Sequence, residues 1–406
     1  MTVRAGIAGA GMVAAVHADA IRRAGGAVVG VAASTPERSK AAAPRVGAGR
    51  AFDSAEELAV SQEIDVLHVC TPNALHGPLV RAALAAGKHV VCEKPLSLTG
   101  ADSDELVALA AESGLVNAVP LVYRYAPLTV EARERVRDGQ LGAIRLIHGH
   151  YLQDWLARPE DNNWRVDPAV GGASRAFADI GSHWCDLVEW ISGHRISELT
   201  AAAQTVLAHR SAAGHETFAG TETENPVTKD PVTENPMTKN PAAGSPPQGA
   251  AKSAQVAVTT EDAVQVLFRT DRGATGALVV SQVSPGRKNR LWFEIDGAER
   301  SVSYDGEDPE SLLLGGRART EIVRRDALSP GAGRINAVPA GHPWGYRDCF
   351  AAFTEDVYAA IRNSKTAGPA AQNSPVYPTF ADAARTAHIT DAVLTSAAHR
   401  SWIEVS

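Results

Sequence analysis

The chain has 406 residues, 45% of them hydrophobic and only 5% aromatic, with a formal charge of −7. That length exceeds one ordinary core and suits two domains, each burying its own. An acidic balance without a basic stripe excludes the electrostatic footprint of a nucleic-acid or anionic-membrane binder, and no apolar run reaches the roughly 18 residues of a membrane span. Cys70, Cys92, Cys185 and Cys349 include no CxxC pair. They read as reduced thiols, and Met1–Arg4 runs straight into a strand pattern rather than a signal peptide, so a cytoplasmic protein is expected.

The first 120 or so residues alternate apolar runs with amphipathic stretches. Val3–Ala8 reads as a strand, Met12–Arg23 as a helix, Ala27–Ala33 and Val66–Cys70 as strands. Leu75–Ala86 reads as a helix stopped by Gly87, Lys88–Cys92 as a strand, Gly100–Ser113 as a helix stopped by Gly114, and Val116–Val119 as a strand. This rhythm predicts a doubly wound parallel sheet, with strands apolar throughout because helices cover both faces. A dinucleotide-binding domain over 1–122 follows. After Pro120 the rhythm changes. A helix over Leu128–Gly139 and a strand over Ile144–Tyr151 precede a Trp-containing loop and a helix near His183–Ser192. Strands then recur at Val256–Thr259, Ala263–Arg269, Thr275–Gln282, Leu291–Asp296 and Ser301–Tyr304, and two helices, Tyr346–Arg362 and Phe380–Ala398, complete the domain. Residues 123–406 are therefore expected to form an α+β domain on a mostly antiparallel sheet. Within it, 211–253 carries the repeat TENPV, TKDPV, TENPM, TKNP. Proline at every fifth position and few apolar side chains predict a disordered or loosely extended inserted loop.

Gly9-Ala10-Gly11-Met12-Val13-Ala14 follows the first strand and opens the first helix. This is GxGxxA in the strand–turn–helix context a dinucleotide needs. Gly9 allows the tight turn, Gly11 the approach of backbone to pyrophosphate, Ala14 close helix–strand packing, and the helix N-terminus, with Met12 and Val13, receives the negative charge. Where an NAD site usually places a carboxylate on the ribose, the second strand ends at Ser34, with Arg38 four residues on. The missing carboxylate and nearby Arg tilt the cofactor toward NADP over NAD. Glu37 remains available for a ribose, and Arg38 also reads as a solvated helix charge.

Ligands of such sheets bind beyond the carboxyl ends of the strands. Two segments fall there: Thr71-Pro72-Asn73-Ala74-Leu75-His76 and Glu93-Lys94-Pro95, with a candidate cis peptide before Pro95. In the second domain, Asp179 and His183 stand four apart, the spacing of one helix face. Lys, Asp and His together form a proton-transfer set: His takes a hydroxyl proton, and Lys holds the oxygen and its developing charge. No third ligand stands at a suitable spacing, so no metal is expected.

In one order, Gly9 to His17, Thr71–His76, Glu93–Pro95 and Asp179–His183 resemble the motifs of the glucose-fructose oxidoreductase / inositol dehydrogenase (Gfo/Idh/MocA) family. The Tyr123-Arg124-Tyr125-Ala126-Pro127 crossing and the patterns at Glu261-Asp262, Gly286–Asn289 and Gly341–Pro343 fit as well. The resemblance implies a Rossmann domain and an open-faced sheet that forms the contact of a homo-oligomer. It implies a catalytic set of Lys94, Asp179 and His183, with Asp179 orienting and charge-balancing the proton relay. Thr71, Pro72, Asn73, His76, Glu93 and Arg124 would line the cofactor, Arg124 beside the nicotinamide. The implied activity is hydride transfer between NAD(P) and an alcohol of a sugar or cyclitol. A glycoside hydrolase using NAD transiently and a non-catalytic nucleotide-binding paralogue remain as alternatives. For substrate, Tyr151–Arg165 supplies Gln153, Asp154, Trp155, Asn162, Asn163, Trp164 and Arg165. Tryptophan faces with amide, carboxylate and guanidinium groups suit a carbohydrate, although Trp155 and Trp164 also read as interface packing. Tyr123 is a further contact, and His342 is either substrate-facing or a turn residue.

Overall fold

A computed structural model describes residues 2–212, 215–216, 254–326, 328–364 and 375–406. The repeat-bearing insertion expected at 211–253 falls almost wholly outside them. The first domain is a six-stranded parallel sheet. In chain order it comprises β1 Arg4–Ala8, α1 Met12–Arg23, β2 Ala27–Ala32, α2 Pro36–Val46, β3 Arg50–Ala51, α3 Ala55–Val60, β4 Val66–Val69, α4 His76–Ala85, β5 His89–Cys92, α5 Gly100–Ser113 and β6 Asn117–Ala118. The strand order is β3-β2-β1-β4-β5-β6, every pair parallel. The order reverses between β1 and β4, where a crevice opens at the strand ends. All four residues of β4 and of β5 are buried, as strands covered on both faces must be.

The second sheet has nine strands. Across it lie Thr320–Val323, Leu312–Gly316, Arg300–Asp305, Arg290–Gly297, Ile144–Leu152, Thr275–Ser281, Ala263–Thr270, Ile196–Gln204 and Ile403–Glu404. Ile144–Leu152 runs parallel to Thr275–Ser281; the other pairs are antiparallel. Its inner face packs Val264, Val266, Phe268, Leu278, Val280, Phe293 and Ile295 against Trp184, Leu187, Val188 and Ile191 of the helix Ser182–Ser192. Gly149 and Gly276 permit that approach: a Cβ on Gly149 would lie 2.7 Å from the Trp184 indole nitrogen, and one on Gly276 2.1 Å from Phe268. The outer face is different. Leu267 is 55% and Ile322 57% exposed, with Val279 and Leu313 also open. On that face the ligand atoms of His148, Glu294 and Asp296 fall within 4.8 Å of one another, a cluster the sequence reading did not single out.

One expectation fails. The helix Tyr346–Ser364 does not complete the second domain. Its Phe350, Phe353, Val357, Tyr358 and Ile361 join Ile7, Val16, Ile21 and Val91 in the core of the first. Each such side chain stabilises by about 1.5–3 kcal/mol on burial, so the helix is a major part of that core. The last helix, Phe380–His399, bridges both: Phe380 and Ala383 pack with Leu106, while Ile389 and Val393 pack with Leu199.

Candidate active site

The glycine turn is built for a dinucleotide. Gly9 has φ +117°, and a Cβ there would fall 2.3 Å from the Cys70 carbonyl oxygen, so only glycine fits. Gly11 precedes α1, no side chain caps the first turn of that helix, and a Cβ on Gly11 would meet nothing within 4 Å. Open space above an uncapped helix N-terminus, with Met12 and Val13 in its first turn, fits a pyrophosphate. The Thr71 hydroxyl is buried without a partner among the described residues, which suits a ligand contact at the same crevice. At the end of β2, the Arg38 guanidinium donates to Ser34 Oγ at 3.0 Å, and both are exposed. Arg45, which the sequence reading passed over, donates to the Ala10 carbonyl at 2.8 Å from the far end of α2.

The catalytic candidates meet. Lys94 stands at the end of β5, before a cis Lys94–Pro95 bond. Its Nζ donates to Asp179 Oδ1 at 2.7 Å and to the Asp179 carbonyl at 2.8 Å. Asp179 lies in a π-helical turn, Phe177–Gly181, which widens the entry to the helix carrying His183. Arg165 Nε reaches Asp179 Oδ1 at 3.3 Å, and Gln282 Nε2 donates to Asp179 Oδ2 at 2.8 Å. Burial alone would raise the Asp179 pKa, but the charges of Lys94 and Arg165 hold it well below the usual carboxylate range. Burial, then the Lys94 charge, lowers His183 to about 3. Its Nδ1 is buried with no partner among the described residues, and its ring meets Tyr123 edge-on at 5.1 Å. A neutral imidazole with an unspent nitrogen thus lies beside an ammonium fixed by a carboxylate.

Around them runs a closed polar ring. Asn289 Nδ2 donates to Tyr123 OH at 2.9 Å, the two phenol oxygens are 2.6 Å apart, and Tyr151 OH donates to Asn289 Oδ1 at 2.7 Å. Gln153 Nε2 also donates to Asn289 Oδ1 at 2.8 Å, and Trp155 Nε1 donates to Gln153 Oε1 at 2.7 Å. The Arg165 guanidinium sits 4.3 Å over the Trp164 ring.

A family model described as "Oxidoreductase family, NAD-binding Rossmann fold" matches residues 3–120, and one described as "GFO/IDH/MocA C-terminal domain" matches residues 129–303. The chain belongs to the Gfo/Idh/MocA family. It is an oxidoreductase with a nicotinamide cofactor, acting on CH–OH groups. Levoglucosan dehydrogenase of Pseudarthrobacter phenanthrenivorans is 28% identical over 388 residues, 92% of this chain and 88% of the relative. A 1,5-anhydro-D-fructose reductase of Ensifer adhaerens is 34% identical over 190 residues, 46% of this chain and 55% of the relative. A solved levoglucosan dehydrogenase in complex with NADH and L-sorbose superposes with a TM-score of 0.83 at 26% identity, covering 100% of this chain and 99% of that one.

Several residues expected at this family's cofactor or substrate are placed otherwise. His76 is fully buried with both ring nitrogens on backbone carbonyls, Pro95 O at 2.7 Å and Thr71 O at 2.9 Å, so it braces the turn and offers no polar atom to a ribose. Asn73 is buried and gives its amide to Gly171 O at 2.8 Å. The Arg124 guanidinium is held between Asp186 and Asp382, with Nε 2.9 Å from Asp186 Oδ2, instead of facing a nicotinamide. A buried guanidinium requires such partners. Asp154 accepts from Lys288 Nζ at 2.8 Å and Gly286 N at 3.0 Å, so it pins a turn. His342 is exposed, its backbone held by Pro339 and Arg325, and among the described residues it makes no hydrogen bond to the Lys94 set. Gln282, Tyr151 and Asn289 were missed as site residues. Gln282 follows the strand Thr275–Ser281, Tyr151 is next to last in Ile144–Leu152, and Asn289 immediately precedes Arg290–Gly297; Asn289 closed a motif already noted, which was the available signal.

Proposed function

We propose that the protein moves a hydride between NAD(P) and a secondary alcohol or ketone of a sugar, sugar derivative or cyclitol. The observation that carries this reading is the Lys94 ammonium, anchored 2.7 Å from Asp179 at a strand end of the cofactor domain, and the His183 ring close enough to feel its charge, with Nδ1 unpartnered among the described residues. The bound nicotinamide supplies the hydride acceptor at its C4. In the oxidation direction, His183 takes the hydroxyl proton, Lys94 holds the oxygen as negative charge develops, and Asp179 keeps Lys94 oriented. The Tyr123–Tyr151–Asn289 ring, Gln153 and Arg165 supply hydroxyl partners, and Trp155 and Trp164 supply stacking faces. The relatives that bear the names levoglucosan dehydrogenase and 1,5-anhydro-D-fructose reductase favour an anhydrosugar as the substrate here.

The test is a panel of sugars, anhydrosugars and cyclitols assayed for nicotinamide reduction. One ring-form polyol is expected to stand out. Lys94→Ala and His183→Ala are each expected to lower kcat by about 10²–10⁴-fold while the cofactor Kd moves only a few-fold; near-normal rates in both variants would sink the assignment.

Three finer readings accompany it. Ser34 in place of a carboxylate, with Arg38 hydrogen-bonded to it, favours NADP, although the solved relative above carries NADH. The exposed apolar outer face of the nine-stranded sheet favours a homo-oligomer of this chain. The four cysteines are buried and unpaired, as a reducing cytoplasm would leave them.

A further inference from the structure

Behind the Lys94–Asp179 pair runs a second polar chain with no part in the chemistry above. Glu93 Oε1 lies 2.9 Å from His17 Nε2, His17 Nδ1 lies 2.8 Å from His68 Nδ1, and His68 Nε2 lies 2.9 Å from Tyr358 OH. All four residues are buried, three of them completely. They come from α1, β4, the end of β5 and the helix Tyr346–Ser364.

Hydrogen-bond satisfaction fixes the protons. Two facing Nδ1 atoms need one proton between them. If Tyr358 donates to His68 Nε2, His68 carries its proton on Nδ1 and gives it to His17 Nδ1. His17 then carries its proton on Nε2 and gives it to Glu93. Every hydrogen finds an acceptor. The reverse polarity leaves the Tyr358 hydroxyl hydrogen buried with no acceptor among the described residues. Burial holds the Tyr358 phenol well above its ordinary pKa and His68 well below its own, so the chain ends on a neutral donor.

Glu93 is faced by His17 from α1, Cys70 at the end of β4, His76 from α4, Cys92 and Lys94 around its own strand end, and Tyr346 from the last-packed helix. Burial keeps both thiols and Tyr346 protonated and His76 neutral. The remaining charges are those of Glu93 and Lys94, then Asp179 and Arg165 on the second domain. Two cations and one anion without Glu93 become a neutral set with it. An oxidised nicotinamide is cationic, and a reduced one is neutral.

We infer that Tyr358, His68 and His17 are positioning residues that hold Glu93 ionised beside Lys94, and that this buried charge biases the site toward the oxidised cofactor. The inference rests on the family's nicotinamide site and not on the substrate reading. Its test uses no substrate, so failure of one leaves the other standing.

The measurement is the ratio of Kd for oxidised and reduced coenzyme, by titration of the full-length protein from pH 6 to 8. Glu93→Gln is expected to shift the ratio toward the reduced form by about tenfold, the effect of removing one unit charge from a buried, low-dielectric site. His17→Phe is expected to match wild type near pH 8 and approach Glu93→Gln near pH 6, because a buried carboxylate without its donor titrates upward. Tyr358→Phe moves the same way by less. An unchanged ratio in Glu93→Gln overturns the inference, as does a His17→Phe ratio with the pH dependence of wild type. If Glu93→Gln does not fold, Tyr358→Phe decides the matter: it removes one hydroxyl and little volume, and a ratio identical to wild type at every pH sinks the relay.

Discussion

Asp179 and His183 stand one turn apart, and their surroundings push both pKa values down for different reasons. Asp179 is lowered by the cations of Lys94 and Arg165 against the effect of burial, whereas His183 is lowered by burial first and Lys94 second. The carboxylate therefore stays charged and the imidazole stays neutral. With His183 at about 3, protonation sets in far below the ordinary imidazole range of about 6.5. The expected kcat/KM profile has no acid limb between about pH 5.5 and 7.5, and a limb near 6.5 would show that His183 is not the base in this environment. These residues were legible because their motifs are local in sequence. Asn73, His76, Arg124 and Asp154 were not. What commits them is a partner such as Gly171, Pro95, Asp382 or Lys288, often distant in sequence, which no spacing rule reveals.

At the scale of elements, β2 and α2 form a unit whose local rules are visible. Thr35 caps α2 by accepting from Arg38 N, Pro36 takes the first helical position, and the Arg38 side chain turns back to Ser34. If this unit reads a 2′-phosphate, Arg38→Ala raises KM for NADP by about tenfold and leaves KM for NAD unchanged; equal effects on both would make Arg38 a surface charge. The strand–helix alternation of the first domain was readable for the same local reason. The helix Tyr346–Ser364 was readable as amphipathic, but its destination was not. Periodicity states that a face is buried and is silent on what covers it. β3, two residues long, carries too little pattern to detect, whereas β6 falls inside the strand read at Val116–Val119.

For the whole molecule, the nine-stranded sheet leaves an alternating row of apolar side chains on the side its helices do not cover. Leu313 and Ile322 stand toward one edge of that face and Leu267 and Val279 toward the other, with the His148, Glu294 and Asp296 cluster between them. Light scattering is expected to show more than one chain per particle, and Leu267→Glu with Ile322→Glu is expected to yield monomers that still unfold cooperatively. A wild-type monomer at micromolar concentration would remove the outer face as a contact between copies.

The packing of Tyr346–Ser364 onto α1 also sets the order in which the molecule can be made. During synthesis the nucleotide-binding sheet emerges first, and the helix that covers its apolar flank emerges only after the second domain is nearly complete. Until then Ile7, Val16 and Ile21 lack partners they have in the finished core. The nascent chain therefore carries an unfinished surface through most of its translation, with contacts closing across more than 300 residues. Residues 1–122 cut out alone would be sticky rather than compact. The cofactor domain is thus built from residues far apart along the polypeptide, and its core closes only once Tyr346–Ser364 has left the ribosome.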